Sequence, residues 1–298
     1  MRRAEIDKSV TWGVALFVAF TMAVTMMNGA AKELQVGMMH PVEVAFIRNA
    51  LAAMGISVII AFIKKDAQLF KTQYIRGQLT RSLFGNTSLI VAFWSVSLLP
   101  LADVVAIWFC SPLMVLVLSA ALLKERVGPW RWGAVICGFV AVFLIAQPAI
   151  ALDNTFGVMV GVLSSFLIAV VSINLRHLGQ RNENPLTTTF YFLTSGTLFC
   201  GLLVPFFWTG NLLNANLFGV MALIAAVGLA AQILKTEAFR LAEASLLSPF
   251  SYLNIFWATL IGWLFFGELP DIYVIIGCIM LIFSNLFILW REGKLMKK

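Results

Sequence analysis

Charge is scarce in this 298-residue chain: Asp, Glu, Lys and Arg make up 12% of it, where soluble domains average about 25%. Histidine occurs twice and cysteine four times, with no Cys-x-x-Cys pair and no histidine close to a cysteine. Cys110, Cys137, Cys200 and Cys278 each sit inside an apolar run and read as small buried residues. His40 and His177 fall in different loops, so no metal site and no cofactor is expected. A phosphate loop is also missing, which removes an ATP-driven pump on this chain.

Apolar side chains, by contrast, reach 61% against an ordinary share of about 45–50%. One globular core of this size cannot hide that excess, because a folded chain still exposes much of its surface. Lipid is the solvent that can. A spanning helix takes about 20 residues, so ten spans would use roughly 200 of them. That arithmetic excludes a soluble enzyme, a nucleic-acid binder and a receptor with a large extramembrane domain. The first apolar run, Val10 to Ala31, is too long for a signal-peptide core and is expected to stay as a span.

Runs bounded by charge or turn residues give ten segments: 10–31, 42–63, 81–98, 101–123, 130–148, 155–175, 187–208, 214–234, 243–267 and 272–290. Leu99-Pro100, Gly128-Pro129 and Asn182-Glu183-Asn184-Pro185 mark the breaks after the third, fourth and sixth. With the N-terminus in the cytoplasm, 19 of the 21 Lys and Arg residues fall on the cytoplasmic side. Lys32 alone lies outside, and Arg48 lies within a span. This asymmetry expects both termini to be cytoplasmic. The net charge of +7 then reflects topology and not a nucleic-acid partner.

The stretch from Ser111 to Glu125 is matched 143 positions later by Asn254 to Glu268, each a small apolar helix closing on glutamate. A repeat of five spans is inverted, because an odd number of crossings reverses the second copy, and inverted repeats recur in secondary transporters. The expected fold is therefore an all-α membrane protein of ten transmembrane helices in two inverted five-helix repeats, 1–148 and 149–298.

Particular residues carry a family resemblance. Leu99-Pro100-Leu101-Ala102-Asp103-Val104-Val105-Ala106, Ser111-Pro112 and Lys124-Glu125-Arg126 resemble the fourth-span signature of EamA-type transporters, within the drug/metabolite transporter superfamily. Ala242-Glu243-Ala244-Ser245-Leu246-Leu247-Ser248-Pro249, Leu253-Asn254, Gly262-Trp263 and Gly267-Glu268-Leu269 are similar in the second copy. Arg48 resembles the second-span arginine of those proteins. The pattern departs at Asn254-Ile255, where many members have an acid followed by proline. The resemblance implies a ten-helix carrier of the inner membrane; known members move amino acids, S-adenosylmethionine, riboflavin or other small metabolites.

Arg48 is the most informative residue, since a charge inside a span usually faces the bundle interior or a water-filled cavity. It could hold a substrate carboxylate or phosphate, or pair structurally with a neighbouring helix. Asn86, Ser111 and Asn254 fall near mid-span, as cavity lining or as ties between helices. Pro112 removes a helix hydrogen bond beside Ser111. Trp12, Trp130, Trp132, Trp208 and Trp290 stand near span ends as interfacial anchors, whereas Trp94, Trp108, Tyr252 and Trp257 could wall a cavity or pack helices. Gly133 and Gly138 suit close helix approach. Spans one and three hold no acid, so proton antiport from a first-span carboxylate has no support; Glu237 and Glu243 are the weak alternatives.

The expected function is secondary transport of an amino acid or related zwitterion or anion by alternating access, with a larger cargo such as S-adenosylmethionine or riboflavin as the alternative. The expected partners are that small molecule and the lipid bilayer, with oligomeric state left open. Two other classes compete. A membrane enzyme on lipid-linked substrates would need clustered acids, histidines or a nucleophile at one face. A non-transporting subunit would show a continuous apolar face without polar lining.

Overall fold

The computed structural model describes residues 2–36, 38–122, 133, 136–145, 154–180, 183–241 and 248–295. The regular elements among them are helices: α1 (Arg2–Gln35), α2 (Pro41–Val58), α3 (Ile75–Leu98), α4 (Leu101–Trp108), α5 (Ser111–Leu122), α6 (Ile136–Ile145), α7 (Thr155–Gln180), α8 (Pro185–Leu203), α9 (Phe218–Leu241), α10 (Leu253–Phe266) and α11 (Ile272–Leu295). A π-helical turn over Ile59–Lys64 extends α2. Five segments are long and apolar enough to cross a membrane: Thr11–Gln35, Pro41–Lys64, Thr155–Leu175, Pro185–Phe206 and Ala215–Lys235. They coincide with the first, second, sixth, seventh and eighth expected spans.

Local chemistry sets several helix ends. The His40 side chain accepts from the Val42 amide, Pro41 opens α2, and the Glu43 carboxylate accepts from the His40 amide, closing a capping box. Asn184-Pro185 repeats the device 144 positions later, with Asn184 Oδ1 accepting from the Leu186 amide. Leu99, just before Pro100, is extended (φ −127°, ψ 160°), so α3 stops where that proline disfavours helix.

Two expectations change. The third helix starts at Ile75 and not at 81, which places Arg81 inside it. The fourth span is two helices: Phe109 and Cys110 close α4 by short-range bonds to Ala106 and Ile107, and α5 begins at Ser111. Pro112 has no amide hydrogen to return to the Trp108 carbonyl, so a continuous helix would lose a bond there. The second copy has its own junction, where a 3-10 turn over Ser248–Tyr252 passes into α10.

Packing follows the repeat. α1 packs on α9 as α7 packs on α3, α2 on α9 as α8 on α3, and α1 on α10 as α7 on α4 and α5, while α2 and α8 pack on each other. At one end the Glu43 carboxylate accepts from the Thr209 amide and hydroxyl, tying α2 to the loop before α9. At the other, Glu183 accepts from Thr72, Gln73 and Gln78, tying the α7–α8 loop to the start of α3. The ties on the Glu43 end include an ion pair between Lys32 of α1 and Glu268 after α10.

Gly267 delivers that glutamate. It closes α10 at φ 66°, and the Gly267 and Glu268 amides donate to the Trp263 and Gly262 carbonyls in a Schellman arrangement. Glu268 also accepts from the Leu101 amide, and Lys32 also donates to the Leu99 carbonyl. One ion pair thus holds the ends of α1 and α10 to the α3–α4 junction.

Candidate substrate site

Arg48 on α2 is 2% exposed and Arg81 on α3 is 6% exposed. Arg48 Nη1 donates to Asn49 Oδ1 at 2.8 Å, Asn49 Nδ2 donates to Asn86 Oδ1 at 2.9 Å, and Asn86 Nδ2 donates to the Ser82 and Phe192 carbonyls. Each amide in this chain accepts on one side and donates on the other, so both are satisfied. The contact lies roughly 12 Å along α2 and roughly 16 Å along α3, which is mid-depth in helices of this length.

The guanidinium groups are not satisfied. Arg48 Nε, Arg81 Nε and Arg81 Nη1 are buried with no hydrogen-bond partner, and among the described residues no carboxylate pairs with either arginine. Both guanidinium groups lie over the Phe192 ring of α8, at 5.6 Å and 4.4 Å from its centroid. They repel one another, and Arg81 in turn repels Lys235 on α9, a half-buried cation over the Phe20 ring.

Three glycines make room for this cluster. A Cβ on Gly85 of α3 would fall 1.9 Å from Arg81 Nη1, one on Gly196 of α8 would fall 2.2 Å from Asn86 Oδ1, and one on Gly228 of α9 would fall 3.1 Å from Arg48 Nε. Small residues on three helices therefore let long polar side chains lie across the interior. The result is a cationic, polar core walled by α2, α3, α8 and α9, helices from both repeats.

Among the sequence candidates, Arg48 and Asn86 meet here through Asn49. Asn254 instead accepts from Thr25 at 3.3 Å, and Trp257 donates to Thr21 at 3.3 Å, so both tie α10 to α1. Tyr252 lies against Phe109, with ring centroids 5.1 Å apart. Trp108 is half-buried on α4 and its indole N–H is without a partner, while half-buried Ser111 heads α5. Trp94, 37% exposed, packs edge-on to Phe156. Glu237 is half-buried on α9, and Glu243 lies outside the described residues.

Sequence reasoning missed Arg81, Asn49, Phe192 and Lys235. Helical periodicity held the signal for Arg81: Gln78, Arg81, Ser82, Gly85 and Asn86 recur at helix spacing, and all five are buried in α3. Of the two glycines expected to permit close packing, a Cβ on Gly138 would strike Leu113 at 1.9 Å, whereas one on Gly133 meets nothing within 4 Å. Among the described residues no three His, Cys, Asp or Glu side chains are grouped to hold a metal.

The sequence matches the model of the EamA-like transporter family twice, over residues 11–147 and 155–290. This chain belongs to the EamA-like transporter family. Its two matches restate the repeat that the helix packing displays. The pseudopaline exporter CntI of Pseudomonas aeruginosa is 27% identical over 91% of this chain and 93% of that protein. A riboflavin transporter of Rhizobium johnstonii is 30% identical over 80% of this chain and 78% of that protein. An S-adenosylmethionine uptake transporter of Rickettsia bellii is 24% identical over 87% of each. A solved crystal structure superposes with a TM-score of 0.59 at 17% identity, covering 91% of this chain and 94% of that one, which shows a shared fold. As an EamA-like transporter, the chain is a multi-pass membrane protein whose relatives are named for metabolite transport.

Proposed function

We propose that this EamA-like protein is a secondary transporter that carries a small zwitterionic or anionic metabolite, of the size of an amino acid, across the inner membrane. The observation that carries the cargo class is Arg48: a buried guanidinium at mid-depth, oriented by Asn49 and Asn86, with Nε still unpaired. Charge inside a span is costly and is usually retained where it meets a substrate or an ion pathway.

The proposed cycle is alternating access, with units 1–148 and 149–298 rocking about the polar core so that it opens to each side in turn. The break between α4 and α5 supports this reading, since a helix broken at mid-span can change angle without unravelling its neighbours. The excess of Lys and Arg on one side supports cytoplasmic termini.

The test is flux through purified protein in liposomes, measured in both directions with and without a pH gradient. The panel is a labelled amino-acid pool, S-adenosylmethionine and riboflavin. Movement of the amino-acid pool above empty liposomes, lost in Arg48→Ala with insertion intact, is the expected result. Movement of S-adenosylmethionine or riboflavin alone would replace the cargo class. No movement of any compound by folded protein would overturn the transport reading.

A further inference from the structure

We propose that Arg48 and Arg81 form a two-point clamp for a substrate that presents two units of negative charge on oxygen, with the Phe192 ring as the apolar surface between them. The inference rests on the transport reading above and narrows its cargo.

The argument starts from what each guanidinium still lacks. Arg48 spends one nitrogen on Asn49 and keeps Nε free, while Arg81 keeps both Nε and Nη1 free. A buried guanidinium stays charged, and it needs oxygen acceptors to replace the water it has lost. The two groups share one ring, so their separation cannot exceed the sum of their distances to its centroid. That is the reach of one small molecule. A monoanion would neutralise one arginine and leave the other repelled and unpaired. A dianion answers both, and guanidinium forks suit carboxylate and phosphate geometry equally.

The surroundings point the same way. Lys235, over the Phe20 ring, is a third cation in the field of Arg81, and among the described residues no ion pair offsets either arginine. Gly85 and Gly228 let the guanidinium groups lie close against α3 and α9, since a Cβ would fall 1.9 Å from Arg81 Nη1 and 3.1 Å from Arg48 Nε. The polar network behind Arg48 ends on backbone carbonyls, so it fixes the arginine without consuming its charge. Arg81 is thus a specificity-determining residue: it separates singly from doubly charged cargo.

The test uses purified protein in detergent and follows thermal unfolding against four probes at matched ionic strength: glutarate, inorganic phosphate, propionate and putrescine. Wild type is expected to be stabilised by glutarate or phosphate at concentrations where propionate and putrescine act weakly. The stronger of the two active probes assigns a dicarboxylate or a phosphate-bearing cargo. Arg81→Gln is expected to lose about tenfold in apparent affinity for that dianion while its response to propionate is unchanged. Arg81→Lys, which keeps the charge should the glutamine variant fail to fold, is expected to keep part of the preference. Equal response of wild type to propionate and glutarate overturns the clamp, as does a wild-type preference in folded Arg81→Gln or no response to either dianion. Flux in liposomes separates the two readings. Wild-type transport by Arg81→Gln removes the clamp and leaves the carrier, whereas arginine-dependent dianion binding without flux keeps the clamp and removes the carrier.

Discussion

Phe109 and Tyr252 stand 143 positions apart in sequence and hold their ring centroids 5.1 Å apart at an interplanar angle of 32°. Phe109 lies at the break between α4 and α5, and Tyr252 lies where the 3-10 turn passes into α10. Corresponding residues of two copies can touch each other only near the axis that relates the copies. The contact therefore marks where the two repeats meet.

That contact predicts a coupled pair. Phe109→Leu and Tyr252→Leu each remove one ring and should each lower stability in detergent. Together they should cost less than the sum, by about 0.5–1.5 kcal/mol, because the ring contact is lost only once. A double-mutant cycle by denaturant unfolding measures this coupling. Strict additivity would show that the rings are neighbours without interaction.

The ion pair between Lys32 and Glu268 predicts an asymmetry between its partners. The Lys32 side chain is 7% exposed and that of Glu268 is 27% exposed. Glu268→Gln takes the negative charge from a buried ammonium, leaving it neutral acceptors and the Phe266 ring, and should cost about 3 kcal/mol. Lys32→Met leaves a carboxylate that reaches water and still accepts from Leu101, so it should cost about 1 kcal/mol. Equal losses in thermal and denaturant unfolding would contradict the roles given to the two groups.

Much of this architecture was legible because lipid imposes long apolar runs. Leu99-Pro100 placed a helix end correctly because proline restricts the residue before it whatever the surroundings. The interruption at Phe109-Cys110 was hidden, since its residues are as apolar as the helix they break; Pro112 was the clue. Arg81 was misplaced by treating the first charge of a run as its boundary. Arg48 stood out inside its run, but Asn86, which it meets through Asn49, comes from the next helix, and the Phe192 ring from α8 is more than a hundred residues away. Such juxtapositions leave no period in the sequence. Lys32 shows the same limit: counted as a loop charge, it is buried against a residue 236 positions later.

Gly196 offers a steric test of the polar network. A Cβ there would lie 2.2 Å from Asn86 Oδ1 and 2.6 Å from Asn49 Nδ2, too close for either to stay. Gly196→Ala should break the Asn49–Asn86 bond, destabilise by about 1–3 kcal/mol, and release Arg48 from its orientation. Gly133→Ala, where the added methyl meets nothing within 4 Å, is the matched control and should be neutral or mildly stabilising. Unfolding and flux measured on both variants check the pair; equal behaviour would mean that Asn86 and Asn49 can move aside freely.

His40 makes the last prediction, about pH. Its side chain caps α2 by accepting from the Val42 amide, and it stacks on Phe207 with centroids 4.3 Å apart at 10°. Burial pushes its pKa below the ordinary histidine value, and the nearby Glu43 carboxylate opposes that shift without reversing it. An unfolded chain then takes up a proton more readily than the folded one. The stabilisation from this cap is therefore complete above the unfolded pKa of about 6.5 and is lost as pH falls through that value toward the folded one. The second copy uses Asn184 at the corresponding place, an acceptor that does not titrate. His40→Asn should keep the cap at every pH, so the difference in unfolding midpoint between wild type and variant should widen in favour of the variant from pH 7.5 to pH 5. Parallel profiles would show that protonation of His40 is not felt by the helix it caps.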